Sequence, residues 1–313
     1  MASNPAAQPR SLPPAVIAIL AAFGIGLFWA YWPVFTQIAG HWWKDPQYSH
    51  GGLVPLFALF LLWWRRDLLA GVTLQTNYWG LLVLLGGVAL RLFGARYGIP
   101  WPEHISLLPC LAGLVLVLGS WPALRWAWPS IAFLAFMIPL PYSIETALAR
   151  ELRLAAAASS VYVIQTLGLP TLREEADIIL GSGDRVPVAP ACCGIGMLLT
   201  FFALATAIIL LSKRPWGDKL VIVLSAVPIA IVANIVRVTI TAFLYEFVSG
   251  TLARKLIHDW AGYLMMPVGL LILWLELKIL DHLFIVESAR PVDLDFAKPK
   301  FRENIKAAPS RGV

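Results

Sequence analysis

The chain has 313 residues, 59% of them hydrophobic and only 13% charged, with a formal net charge of +6 and three cysteines. That apolar share exceeds the roughly 45 to 50% of soluble domains and marks an integral membrane protein. The positive charge does not point to nucleic acid, because the basic residues are not gathered on one soluble face interleaved with aromatics.

A bilayer core about 30 Å thick takes roughly 20 apolar residues per helix, and the chain divides into about eight such runs. In order they are Pro14 to Phe35, Gly52 to Trp64, Tyr78 to Gly94, Ile105 to Gly119, Leu124 to Leu140, Gly194 to Leu211, Leu220 to Phe247 and Trp260 to Phe284. The expected fold class is therefore an all-α polytopic membrane protein of about eight transmembrane helices. The second run is short, and only "SWPALR" separates the fourth from the fifth. The first run is longer than a signal-peptide core and its basic flank is thin, so it is expected to stay attached.

Arg10, Arg65, Arg66, Arg125, the "KRPWGDK" loop and the tail from Arg290 to Arg311 fall on one side if the spans alternate, whereas loops such as "AGHWWKDPQYSH" carry few basic residues. The positive-inside rule then places both termini in the cytoplasm. Residues 1–285 form the transmembrane unit, and 286–313 form a polar, Pro-bearing cytoplasmic tail.

Between Pro141 and Pro190 the chain is expected to leave the bilayer on the outer side. From Ile144 to about Leu167 a helix would place Leu148, Leu152, Ala155 and Ala156 on one face, with Glu145, Arg150, Glu151 and Arg153 largely elsewhere, as suits a helix lying at the interface. Next, "EADIILGSGDRVPVAP" offers runs at Ile178 to Leu180 and Val186 to Val188 joined by "GSGD". Gly and Asp supply the positive φ angles of a tight hairpin, and Pro187 confines its strand to an edge. The hairpin leads into "ACCG", with Cys192 and Cys193 at the lip of the sixth run.

In the seventh run "IVANIVRVTITAFLY" holds Asn234 and Arg237, three apart and on one face. An arginine inside a membrane costs about 2.5 to 3.5 kcal/mol on insertion scales and usually faces protein or an aqueous cavity. The plainer reading is an anchor that snorkels, since Arg237 lies in the outer half of its helix. That reading is stronger still for Arg91. His258, in "KLIHDWAG", opens the last run on the outer side, so Cys192, Arg237 and His258 come from the outer ends of three helices and can meet. A thiolate is a capable nucleophile beside a cation or at a helix N-terminus. His258 is a candidate acid or base and Arg237 a candidate oxyanion stabiliser. Cys110, isolated in the fourth run, reads as packing. The histidines lack metal-ligand spacing, and no metal or other cofactor is expected.

These residues carry a resemblance. "YSHGGLVPLFALFLLWWRR", "FMIPLPY", "VAPACCGIGM", "NIVR" and "HDWAG", in this order, resemble segments of the exosortase/archaeosortase family of polytopic Cys-dependent processing enzymes. The resemblance implies Cys192 as nucleophile, Arg237 at the transition state and His258 as acid or base. Cys193, Asn234 and His50 are the supporting candidates. Cys193 stands where the family usually has Ser, and exchanged roles of the two cysteines stay open. The resemblance also implies partners: membrane-anchored proteins with a C-terminal sorting signal (a Pro-Glu-Pro-like motif, a transmembrane helix and a basic end), cleaved on the outer face and passed to an acceptor nucleophile. Contact with membrane lipid follows from the fold. Two rivals from other classes are a polytopic transporter, which an intramembrane Arg and Asn would suit, and a noncatalytic scaffold for envelope assembly.

Overall fold

In a computed structural model, residues 14–69, 75–188 and 194–247 are described, together with positions 267, 270–272, 274, 275, 277 and 278. Helix α1 (Pro14–Lys44) runs past the expected end at Phe35. Its continuation is held by Gln37, whose Oε1 lies 3.2 Å from Nε2 of His104, and by Trp42, whose indole donates to the Met137 carbonyl at 3.1 Å. A 3-10 segment (Pro46–Gly52) follows, capped by Asp45, which accepts from the Gln47 amide at 3.0 Å. The Trp42 indole occupies the space a side chain at Gly51 would need, which accounts for that glycine. Helix α2 (Leu53–Trp64) then begins.

Helix α3 (Trp79–Tyr97) buries Gly80, Gly87 and Gly94, one every seven residues. That period keeps one seam toward a partner helix. The partners are α4 (Pro100–Ile105) and the first half of α5 (Leu107–Phe133). A Cβ at Gly80 would sit 2.5 Å from the Val117 nitrogen, one at Gly87 2.6 Å from Cys110 Sγ, and one at Gly94 2.8 Å from the Glu103 nitrogen. The two helices are therefore antiparallel and backbone-close, the packing small residues permit in membranes.

Helix α5 is broken at Ser120 (φ 60°, ψ −168°). The contacts show that the chain reverses there. A straight helix from 104 to 137 would span about 50 Å, yet His104 and Met137 meet Gln37 and Trp42, about 7.5 Å apart along α1. At the opposite end Asn77 Nδ2 donates to Ser120 Oγ at 3.3 Å and Arg65 donates to the Arg125 carbonyl at 3.1 Å. The expected break at "SWPALR" is thus present, although helical structure ends at Phe133 and gives way to a 3-10 turn (Leu134–Met137) rather than continuing to Leu140.

Helix α6 (Tyr142–Thr166) forms where expected but buries a different face. Ala156, Ala157, Ser160, Val161 and Ile164 are inside, while Leu148 is exposed. Small side chains let α6 approach α8 (Trp216–Phe247) closely enough for Ser160 Oγ to donate to the Ile235 carbonyl at 3.3 Å. The expected hairpin is present as β2 (Asp177–Leu180) and β3 (Arg185–Pro187), with Gly183 at φ +85° in its turn and Pro187 on an edge. A further strand, β1 (Thr171–Glu174), pairs antiparallel with β2, from Thr171 opposite Leu180 to Glu174 opposite Asp177. Ile178, Leu180, Val186 and Val188 pack on the small-residue face of α6 and on Val238 and Ala242 of α8.

Among the described residues three stretches are long and apolar enough to cross a membrane alone: Trp79–Tyr97, Pro100–Met137 and Trp216–Glu246. Helix α7 (Ile195–Leu211) is apolar but has 17 residues. The eighth expected run, Trp260 to Phe284, lies almost wholly outside the described residues.

Candidate active site

The site is built around the first turn of α7. Gly194 caps it at φ +88°, a left-handed conformation that glycine adopts freely. Its carbonyl accepts from the Leu198 amide at 2.8 Å. Opposite it stands Asn234 of α8: a Cβ at Gly194 would lie 3.0 Å from both Cγ and Nδ2 of that amide. Asn234 is only 3% exposed, and its Oδ1 has no hydrogen-bond partner among the described residues. The amide lines a cavity of about 40 Å³ between α6, α7 and α8, whose other walls include Leu152, Ala156, Leu198 and Ala230. A buried amide oxygen without a donor is costly, so the cavity is suited to receive an N–H or O–H group.

Arg237 lies three residues further along α8, about 4.5 Å toward its C-terminal end. It is half-buried and has no hydrogen-bond or ion-pair partner among the described residues. A guanidinium with no partner among the described residues, three residues from Asn234, is available to an anion.

The 3-10 segment closes the other side. A Cβ at Gly196 would lie 2.9 Å from the Gln47 Cα, so backbone meets backbone there. One turn along, Thr200 donates its hydroxyl proton to the Gly196 carbonyl at 2.7 Å. Its oxygen must then accept from Nδ1 of His50, 3.2 Å away. With the Nδ1 proton directed to Thr200, the buried Nε2 has no hydrogen-bond partner among the described residues. Burial lowers the His50 pKa below its ordinary value, while the nearby Phe136 and Gln47 carbonyls pull weakly the other way. Sequence reasoning offered no sign of the His50–Thr200 link, which joins residues 150 positions apart.

Of the six expected site residues, Asn234, Arg237 and His50 are thus arranged around the start of α7 or along its first turns. Cys192, Cys193 and His258 lie outside the described residues. Covalent geometry alone keeps a residue two positions before Gly194 within about 7 Å of it. Arg91 takes no part. Instead of snorkelling, its guanidinium donates to the Ala30 carbonyl and lies 4.5 Å above the Tyr31 ring. Cys110 is fully buried and accepts from the Tyr31 hydroxyl at 3.2 Å, in keeping with a packing role.

A helical membrane protein in which a glycine-capped helix start meets a buried amide, with an arginine three residues further along that has no partner among the described residues, is a polytopic protein with a polar centre within its bundle. The chain belongs to the transmembrane exosortase family (Exosortase_EpsH), which it matches over residues 42–275. That family comprises membrane protein-sorting enzymes, in general cysteine transpeptidases. Comparison with curated proteins and with solved structures returned no match.

Proposed function

We propose that this chain is an eight-pass cysteine protease and transpeptidase that cleaves C-terminal sorting signals of exported proteins on the outer face of the inner membrane. The observation that carries this reading is the contact of Gly194 with Asn234, because Gly194 is covalently joined to the cysteine pair and Asn234 is three residues from Arg237.

In the reaction the thiolate of Cys192 attacks the scissile carbonyl, and Arg237 stabilises the oxyanion of the tetrahedral intermediate. His258 takes the thiol proton and delivers it to the leaving amine, whose C–N bond breaks as the thioester forms. Water or an acceptor amine then attacks the thioester and restores the thiol. A substrate anchored in the same bilayer presents its scissile bond near the depth of these groups. Both termini lie in the cytoplasm, where the tail, 286–313, follows the catalytic unit, 1–285.

The test is to trap the acyl-enzyme with a tagged sorting-signal substrate, digest it and locate the thioester by mass spectrometry. Cys192→Ala should abolish processing and Cys193→Ser should retain most of it. A thioester on Cys193, or full activity in Cys192→Ala, would overturn the assignment.

A further inference from the structure

Away from the start of α7, α1 and α3 leave a groove between them. Two cavities of about 340 and 380 Å³ share Leu27, Ala30, Leu84 and Val88 as lining, so they lie side by side along one groove. Along α1 it extends from Ala22 to Tyr31, about 13.5 Å by helical rise. That is nearly half the thickness of a bilayer core, the reach of one leaflet. Its lining is apolar except toward one end, where Arg91 and Glu103 both border the larger-helix side with Tyr31 and Cys110.

Those two charges do not pair with each other: no ion pair joins them among the described residues. The guanidinium is held in place by the Ala30 carbonyl and by the Tyr31 ring, which is itself fixed by Ser106 at 2.8 Å. On α4, the Glu103 backbone is fixed by the Ser106 hydroxyl, which donates to its carbonyl at 2.6 Å, and its carboxylate has no partner among the described residues. Arg91 keeps the Ala30 carbonyl and the Tyr31 ring, so the Glu103 carboxylate is the charge at this end of the groove still open to a cation.

The geometry points to a binding site for a zwitterionic glycerophospholipid carrying a primary ammonium. Its phosphate meets Arg91, its ammonium meets Glu103, and an acyl chain lies along Leu27, Leu84 and Val88. A simple anionic lipid would satisfy Arg91 but bring like charge to Glu103. A neutral chain would leave the Glu103 carboxylate without a counter-charge and Arg91 with only the Ala30 carbonyl and the Tyr31 ring. Guanidinium binds phosphate through several donors, whereas a carboxylate gains hydrogen bonds from a primary but not a quaternary ammonium. The inference does not depend on the catalytic reading.

Native mass spectrometry of the detergent-purified full chain, titrated with phosphatidylethanolamine, phosphatidylcholine and phosphatidylglycerol of identical acyl chains, tests it. Phosphatidylethanolamine should bind about tenfold more tightly than either competitor, the difference expected for one charge-assisted contact. Glu103→Gln should erase its advantage over phosphatidylcholine. Arg91→Ala should weaken all three phospholipids, and Leu84→Trp, which puts bulk into the groove seven residues along α3 from Arg91, should remove the bound lipid. Equal or tighter binding of phosphatidylglycerol by the unaltered protein would overturn the proposal, as would unchanged selectivity in folded Glu103→Gln.

Discussion

Replacing Gly194 by alanine perturbs the point where α7, α8 and the cysteine pair come together. Two costs can be worked out. At φ +88° an L residue carries a backbone penalty of about 1 to 2 kcal/mol. The new methyl would also sit 3.0 Å from Cγ and Nδ2 of Asn234 and 3.2 Å from its Cβ, so the amide must move by a few tenths of an ångström. The cavity beside Asn234 gives it somewhere to go, which keeps the overpacking cost near the low end of its usual range, about 1 kcal/mol. Gly194→Ala should therefore destabilise the protein by about 2 to 3 kcal/mol, measured as a shift of the denaturation midpoint in detergent. Asn234→Ala removes the contacts with Cγ and Nδ2 but keeps Cβ at 3.2 Å and the backbone strain, so the double variant should recover up to about 1 kcal/mol relative to the sum of the singles. Processing by Gly194→Ala should fall further than stability explains, because a displacement of about 1 Å at a reacting group costs on the order of 100-fold. A single variant within 0.5 kcal/mol of the parent, or strict additivity in the double, would refute this account.

Adjacent glycines of α3 should behave oppositely. Gly86 has open space around it, so Gly86→Ala should be neutral or stabilise by up to about 1 kcal/mol through helix propensity, whereas Gly87→Ala drives a methyl to 2.6 Å from Cys110 Sγ and 3.0 Å from its nitrogen and should destabilise by about 1 to 3 kcal/mol. Equal midpoints for the two would show that the α3–α5 seam is not the close contact described. For His50, burial lowers the folded pKa below the unfolded value of 6.5, so folding favours the neutral ring. Its contribution is fully present above about pH 6.5 and is lost as pH falls through the folded pKa, at no more than about 1.4 kcal/mol per unit. His50→Gln should flatten that acid limb in midpoints measured from about pH 7.5 to 5, and an unchanged limb would mean the ring is not held neutral.

Patterns that depend on one segment were legible in the sequence, and patterns that depend on two were not. "GSGD" between apolar runs dictates a hairpin locally, and "SWPALR" marks a break locally; both occur where read. Strand β1 was missed because "TLRE" has neither alternation nor an apolar run, and it pairs only because β2 offers an edge. Arg91 was misread because a charge in an apolar run announces a cost without naming what meets it, and the answer lay on α1. The buried face of α6 was misplaced for a related reason. Hydropathy ranks Leu148 above Ala157 and Ser160, but in close helix packing the small side chain wins, since it lets backbones approach. The same physics governs Gly80, Gly87 and Gly94 against α5, Gly196 against Gln47, and Gly194 against Asn234. At each of these, what matters is the absence of a side chain, which hydropathy cannot register. The polar residues of the candidate site could be named from sequence because they are conspicuous there, but their arrangement is set by glycines and alanines that look like filler until the partner helix is in view.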